Sequence, residues 1–329
     1  MQTGLITAPF PFMNQSLKFP VTSWNNDCCR RRFLQSAAMT AGGLALVGCS
    51  TMNSNTNHGF VDAHVHVWTP DLARYPLASG FKREDMRPAS FTPEELLALA
   101  RPNGVSRIVL IQMSYYRFDN SYMLDTMRRF PGVFSGVGIV DDSTARPQDK
   151  MRELARQGVR GFRIGAGKQP ITAGMEAMWK CAGDDGLAIC PLINPDALPV
   201  IDGLCERFPQ TRVVLDHFAR VGVSGEFRDA EVEALCRLAR HKHTHVKVSA
   251  FYALGKKQPP YLDLAPLIRR VRDAYGADRL MWATDCPFQL QKEHTYAGSV
   301  ELIRDRLEFL SAQDKQWLLG KTAEKLFFA

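Results

Sequence analysis

Eight short apolar runs alternate with amphipathic, helix-like segments between residues 59 and 329. Strands that alternate with helices are typical of β-α-β units, because a parallel strand pair needs a long crossover and a helix provides it. Eight such units are the content of one (β/α)8 barrel and leave little chain for a second domain. The sequence therefore predicts an α/β protein with a single (β/α)8 TIM barrel over 59–329. The predicted strands are 59–67, 105–113, 134–141, 159–165, 187–193, 212–217, 245–251 and 280–285.

Amphipathic segments between these strands predict helices. The clearest start has Thr92 as N-cap, Pro93 at the first helical position and Glu95 three residues after the cap, which is a capping box. The predicted helices include Pro93–Ala100, Asp119–Phe130, Gln148–Gln157 and Glu231–Arg240.

Residues 1–48 carry the pattern of an export signal. The arginine pair Arg30-Arg31 resembles a twin-arginine motif, and a weakly apolar stretch of about 13 residues follows, which is shorter than the ~20 that span a bilayer. The stretch ends in the letters LVGC, which resemble a lipobox with Cys49 as the lipidated residue. The polar residues 49–58 predict a flexible tether.

This pattern predicts a protein exported by the twin-arginine route and anchored as a lipoprotein on the periplasmic side. Ser50 after the cysteine is compatible with sorting to the outer membrane. The alternative is a disordered basic tail with a chance cysteine. Translation from Met1 and from Met13 both remain open.

The charge balance gives no reason to expect nucleic-acid binding. Of the net charge of +7, +3 lies in residues 1–48, so the barrel is only weakly basic. The five cysteines after Cys49 show no zinc-type CxxC pairing and are expected to be mostly free and buried. We therefore expect a small-molecule partner, with membrane contact only through the lipid anchor; the oligomeric state stays open.

Polar side chains stand where several predicted strands end. The carboxyl ends of barrel strands share one mouth, where the chemistry of such folds sits. A buried charge costs several kcal/mol unless it is paired or ligated, so a shared polar site is predicted there. The residues are Asp62, His64 and His66 on strand one, Arg163 on strand four, Asp216 and His217 on strand six, and Asp285 on strand eight.

The HxH pair on strand one, the histidine ending strand six and the aspartate ending strand eight together resemble the amidohydrolase superfamily. The resemblance is to its amidohydrolase-related branch, and within it to the lactonases of sugar lactones and 2-pyrone-4,6-dicarboxylate. It covers residues 59–329 and includes the segments VDAHVHVW, RGFRI, VVLDH, WATDCPF and LLGKTAEKLF. The resemblance implies a TIM-barrel hydrolase that opens a lactone.

This sequence departs from the superfamily members that bind two metals. Those place a carboxylated lysine on strand four and a histidine on strand five, whereas here strand four has Arg163 and strand five reads CPLIN. A binuclear site is therefore not expected. His64, His66 and Asp285 offer ligands for one divalent ion, zinc or manganese, although some lactonases of this branch work without metal. No organic cofactor is predicted.

The predicted chemistry is attack of water on a lactone. Asp285 is the expected general base, or binds the ion that activates the water. His64, His66 and His217 are expected to polarise the carbonyl and stabilise the oxyanion. Arg163 is expected to bind a substrate carboxylate or hydroxyl, the alternative being a counter-ion for buried Asp62 or Asp216.

Further polar residues have weaker support. Tyr115 and Tyr252 follow strands two and seven and are predicted to contact substrate, with packing as the alternative. Lys247 on strand seven is expected to point into the barrel, or to pair with Asp62 or Asp216. The HxHxH run of His241, His243 and His245 is expected to be a solvated loop at the opposite face.

Two other functions stay open. A related branch performs metal-dependent decarboxylation of aromatic or enoic acids, but it uses a strand-five histidine that is absent here. A non-catalytic, ligand-binding lipoprotein is the other alternative, although it predicts loss of a core ligand, and all of them are present.

Overall fold

The computed structural model describes residues 59–165 and 171–329. The predicted export signal over 1–48, the tether over 49–58 and the lipidated Cys49 lie outside the described residues. Within the described ranges, none of the helices combines the length and the apolar character that a membrane-spanning helix needs.

Eight parallel strands form one sheet in chain order, which confirms the predicted barrel. The edge strands β1 and β8 meet just beyond β8: the amide of Asp285 donates to the carbonyl of His64 at 2.9 Å, and the amide of His66 donates to the carbonyl of Cys286 at 2.8 Å. These two bonds form the seam that closes the barrel. The strands are β1 Phe60–Val65, β2 Val105–Ile111, β3 Phe134–Gly138, β4 Val159–Ile164, β5 Ala188–Pro191, β6 Arg212–Leu215, β7 Thr244–Val248 and β8 Leu280–Trp282.

Helices follow the strands and form the outer layer. The first has the predicted bounds, and the Thr92–Glu95 capping box is present. The others named from the sequence shift by one to three residues at their ends. The helices are α1 Pro93–Ala100, α2 Ser121–Arg129, α3 Pro147–Arg156, α4 Ala173–Asp185, α5 Leu198–Arg207, α6 Asp229–Arg237, α7 Ala265–Tyr275, α8 Tyr296–Glu301, α9 Ala312–Gln316 and α10 Thr322–Phe327.

Apolar side chains fill the barrel from below the mouth. Apolar residues of the strands, such as Ala63, Val109 and Met281, form an inner core that is separate from the layer between strands and helices. Phe327 of α10 joins this inner core and closes the barrel end opposite the mouth. The polar residues at the other end therefore stand on an apolar floor.

All eight predicted strands are too long at their carboxyl ends, by one to three residues. β5 ends at Pro191 and β8 at Trp282, because the residues that follow leave the ladder to form the mouth. Asp285 even adopts the left-handed region, with φ of 65°.

The five cysteines of the described chain are free, as expected, and only Cys236 is partly exposed.

Candidate active site

Three side chains converge at the mouth, where β1 and β8 meet. We call His64, His66 and Asp285 the mouth triad. The Nε2 atoms of the two histidines lie 3.2 Å apart, and each lies 3.4 Å from Oδ1 of Asp285. The two-residue spacing on β1 puts both imidazoles on one face, and the seam brings Asp285 beside them.

The triad has the dimensions and donor types of a mononuclear metal site. An ion with four tetrahedral ligands at about 2.0–2.1 Å separates those ligands by about 3.4 Å, close to the three observed distances. Nδ1 of His66 lies 3.0 Å from the carbonyl of Ile111, so it carries the proton and leaves the Nε2 lone pair facing the triad. Electron-rich atoms this close require a cation between or beside them. This group could therefore hold a metal ion.

A guanidinium already contacts the same atoms. Nη2 of Arg163 lies 2.9 Å from Nε2 of His64 and 3.2 Å from Oδ2 of Asp216. Its donation makes Nε2 of His64 an acceptor, while Nδ1 of His64 lies 3.2 Å from Nζ of Lys247 and 3.3 Å from Oδ1 of Asp216. Arg163 thus uses the lone pair that a metal ion would need.

Beneath the triad lies a buried ion cluster of Asp216, Lys247 and Arg163. Nζ of Lys247 lies 2.9 Å from Oδ1 of Asp216, and neither side chain is exposed. Of the two alternatives for Lys247, the structure shows the pairing with Asp216. Arg163 also pairs with Asp216, as its counter-ion alternative predicts. The buried Nε of Arg163, however, has no hydrogen-bond partner among the described residues.

Asp62 is held apart from this cluster. Its Oδ2 accepts from the hydroxyls of Thr284, at 2.6 Å, and Tyr296, at 2.8 Å. Burial raises its pKa to about 6, although these hydrogen bonds lower it. Asp62 therefore fixes the segment between β8 and Asp285 to β1.

His217 reaches the mouth through an unusual backbone. The four residues His217, Phe218, Ala219 and Arg220 all have φ between 52° and 59°, the left-handed region, which costs roughly 1–2 kcal/mol per non-glycine residue. Nδ1 of His217 lies 2.8 Å from Oγ of Ser249, and Nε2 lies 3.7 Å from Oδ2 of Asp285. Strain of this kind is typical of functional segments.

The two tyrosines that were predicted to contact substrate have different hydrogen-bond partners. The hydroxyl of Tyr252 donates to Oδ2 of Asp285 at 2.7 Å, which brings this residue into the site. The hydroxyl of Tyr115 donates to the carbonyl of Asp85 at 2.8 Å, and its ring packs on Trp68. These contacts favour the packing alternative for Tyr115, and its contact with substrate stays a prediction.

Burial and neighbouring groups set the protonation states. Burial lowers the pKa of His217 to about 4 and moves those of His64 and His66 down as well, so the imidazoles are neutral at pH 7. Burial alone would raise the pKa of Asp285, but His217, His66 and His64 outweigh it and hold this pKa below its usual range. The triad is therefore one carboxylate among neutral rings.

The HxHxH run lies at the opposite end of the barrel, as expected, but it is not one solvated loop. Nε2 of His241 lies 2.7 Å from Oδ1 of Asp202. His245 is buried within β7, because that strand already begins at Thr244. The prediction of a solvated loop is therefore wrong for His245.

Sequence reasoning missed Arg220, whose half-buried guanidinium has the mouth residues Arg163, Asp285 and Tyr252 as charged or titratable neighbours. The available signal was a cation three residues after His217. This signal was not decisive, because residues 217–220 contain no glycine, the residue that usually marks left-handed backbone.

A model of the amidohydrolase family matches residues 61–329. L-fucono-1,5-lactonase of Burkholderia ambifaria is 29% identical over 249 residues, covering 69% of this chain and 80% of that protein. The crystal structure of a candidate 2-pyrone-4,6-dicarboxylic acid hydrolase from Pseudomonas putida matches with a TM-score of 0.70 and 27% identity, covering 82% of this chain and 98% of that one. A zinc-bound amidohydrolase from Burkholderia multivorans shares the fold, with a TM-score of 0.68 and 21% identity, covering 82% of this chain and 99% of that one.

Proposed function

This chain belongs to the amidohydrolase family, and we propose that it hydrolyses a lactone by attack of water at the mouth of the barrel. The observation that carries the proposal is the triad of His64, His66 and Asp285, whose facing atoms lie within 3.4 Å of one another. The lactone hydrolases among its relatives support the same ester-bond chemistry.

Asp285 is the proposed general base. Its carboxylate is ionised at neutral pH, so it can accept a proton from the attacking water without first losing one. The hydroxyl of Tyr252 holds Oδ2 at 2.7 Å and fixes the direction of the carboxylate. Tyr252 therefore orients the base and also lies where substrate would enter.

His217 is the proposed oxyanion donor. Nδ1 of His217 lies 2.8 Å from Oγ of Ser249, and in the tautomer that carries its proton on Nε2 the ring presents this donor to the mouth. A preorganised donor at the developing alkoxide is worth several kcal/mol of transition-state stabilisation. The ring of His64 lies directly beside that of His217, with 4.4 Å between the ring centroids, and His64 and His66 are the groups proposed to polarise the carbonyl.

Zinc or manganese is the ion we propose for the triad, because imidazole with carboxylate suits both and a structural relative carries zinc. When bound, such an ion supplies a Lewis acid for the lactone carbonyl. Arg163 provides positive charge beside the same atoms from the chain itself. Its side chain is 12% exposed, and the guanidinium is the group proposed to bind a substrate carboxylate or hydroxyl.

The test combines metal analysis of the purified protein with a pH-indicator assay on a panel of neutral and acidic lactones. Proton release from a lactone, lost in Asp285→Asn, is the expected result. Release of CO2 from aromatic acids would instead favour the decarboxylase alternative, for which β5 offers no histidine. Turnover of neither class would favour a ligand-binding protein.

The two roles of Arg163 are separated by Arg163→Met. A higher KM confined to acidic lactones supports substrate recognition. Equal losses on acidic and neutral lactones, with a lower melting temperature, would assign Arg163 to the buried ion cluster alone.

We also propose export and lipid anchoring, which rest on Arg30-Arg31 and on the LVGC segment ending at Cys49. Cys49→Ala should release the mature domain from the membrane fraction into the soluble periplasm. A wild-type protein that is already soluble and unlipidated would overturn this proposal.

A further inference from the structure

Arg220 carries a positive charge at the mouth that the described part of the chain leaves without an ion-pair partner. Its guanidinium is half-buried, and its one described hydrogen bond is a long one, from Nη1 to Oδ1 of Asn194 at 3.4 Å. Asn194 is neutral, so this contact does not balance the charge. The other two mouth cations, Arg163 and Lys247, both contact Asp216.

The backbone places Arg220 on the same side of the left-handed turn as His217. In a tight turn of three residues per turn, side chains three positions apart lie on the same side. The left-handed turn from His217 to Arg220 is such a turn, so Arg220 stands on the side that presents His217 to Asp285. Burial, and then the like charge of Arg163, lower the pKa of Arg220, which agrees with a position in the mouth.

The nearby carboxylates are already engaged. Asp216 lies between Lys247 and Arg163, and Asp285 accepts from Tyr252 and faces the histidines. A half-buried guanidinium with five donors and no carboxylate is suited to bidentate binding of a ligand oxyanion. The side-chain amide of Asn194 adds a second donor group at the same place.

We propose that Arg220 and Asn194 form a subsite for an anionic substituent of the substrate, which makes the substrate an acidic lactone. The inference rests on the proposed lactone hydrolysis and narrows it from lactones in general to those that carry a carboxylate or a similar oxyanion beside the ring. The left-handed turn links the two functions, because it fixes the oxyanion donor and the selecting cation with one strained segment.

The first test is Arg220→Met, assayed with 2-pyrone-4,6-dicarboxylate as the acidic lactone and L-fucono-1,5-lactone as the neutral one. The ratio of kcat/KM for the acidic to the neutral lactone should fall on the order of 10- to 100-fold, mainly through KM. Arg237→Met is the matched control, since Arg237 is exposed on α6, and its ratio should equal that of the wild type.

A second variant covers the case in which Arg220→Met fails to fold. Asn194→Asp places a carboxylate against the guanidinium, so it should raise KM for the acidic lactone while raising the melting temperature. A stabilised protein with an unchanged KM would overturn the subsite. Arg220→Lys keeps the charge without the planar fork and should restore part of the acidic preference.

Binding without turnover separates the inference from the proposed function. In the Asp285→Asn background, titration calorimetry should show that 2-pyrone-4,6-dicarboxylate binds. Adding Arg220→Met should raise the Kd for this lactone. If the wild type opens no lactone while this binding persists, hydrolysis is wrong and the anion subsite stands. If lactones are opened but Arg220→Met affects acidic and neutral ones alike, the subsite is wrong and hydrolysis stands.

Discussion

Two groups of alternating histidines stand at opposite ends of the same barrel. His64 lies late in β1, His66 directly follows the strand, and both meet a carboxylate across the seam. His241 and His243 precede β7, and His245 sits just inside it. The ring of His241 contacts Asp202 of α5, and the ring of His245 contacts the backbone carbonyl of His243. The same two-residue spacing thus gives a candidate active site at one end and structural contacts at the other.

The position along the strand makes this difference. At the carboxyl end the chain leaves the ladder, and loops from several strands bring their polar side chains over one opening. At the amino end the apolar plug around Phe327 closes the barrel, so an imidazole there finds only its local neighbours. A spacing motif therefore carries functional meaning only together with its place in the fold.

The largest expected effect is loss of turnover in Asp285→Asn. The amide keeps the shape of the carboxylate but cannot accept the proton, so kcat for lactone hydrolysis should fall by about 10²–10⁴-fold. Initial rates at saturating lactone give the number. His241→Asn removes an imidazole from the other end and should leave kcat at the wild-type value; comparable losses in both variants would erase the contrast between the two ends.

Metal affinity should distinguish the histidines at the mouth from those at the opposite end of the barrel. His66→Gln removes one triad ligand, so zinc binding should weaken by at least the roughly 100-fold that loss of an outer partner alone can cost. Competition with a chromogenic chelator measures the affinity directly. His243→Gln should bind zinc as the wild type does, and a wild type that binds no zinc would remove the metal from the proposal.

The buried histidine at the closed end should act on stability instead. Burial lowers the pKa of His245 from 6.5 to about 4, so the unfolded chain binds its proton more readily than the folded one. The contribution of neutral His245 to the free energy of unfolding is complete above pH 6.5 and is lost as the pH falls toward 4. Between pH 7.5 and 5 it should remove about 2 kcal/mol from the free energy of unfolding.

Urea denaturation at those two pH values tests this. In His245→Gln the acid-induced loss should be smaller than in the wild type by that amount. Parallel losses in the two proteins would show that folding does not lower the pKa of His245.

The smallest effect concerns the cation beside the triad. Since Nη2 of Arg163 holds the Nε2 lone pair of His64, Arg163→Met should free it and tighten zinc binding about tenfold. Arg160→Met is the matched control on β4, because Arg160 bonds only to backbone carbonyls. Weaker zinc binding in Arg163→Met would mean that the guanidinium supports the ion instead of competing with it.

The sequence predicted the eight strands and the gathering of polar residues at their ends, because hydrophobic alternation and strand order act through simple geometry. It left open the partner of Lys247, which depends on the side-chain register across the barrel. It missed Arg220, because four left-handed residues without glycine have no sequence signature. It also gave Tyr115 and Tyr252 equal standing, although their loops turn one hydroxyl to a backbone carbonyl and the other to Asp285.

The seam affects the order of events during folding. It joins the end of β1 to the residues that follow β8, and beside it Thr284 donates to Asp62 from 222 positions away in the chain. The ring of strands must therefore close over almost its whole length before these residues meet. Long-range closure of this kind is slow, because chain entropy is lost before the contacts repay it. During refolding, helical signal should therefore return before lactone turnover does. Catalytic competence should be the last property that this chain acquires as it folds, and its appearance would report that the circle of strands is complete.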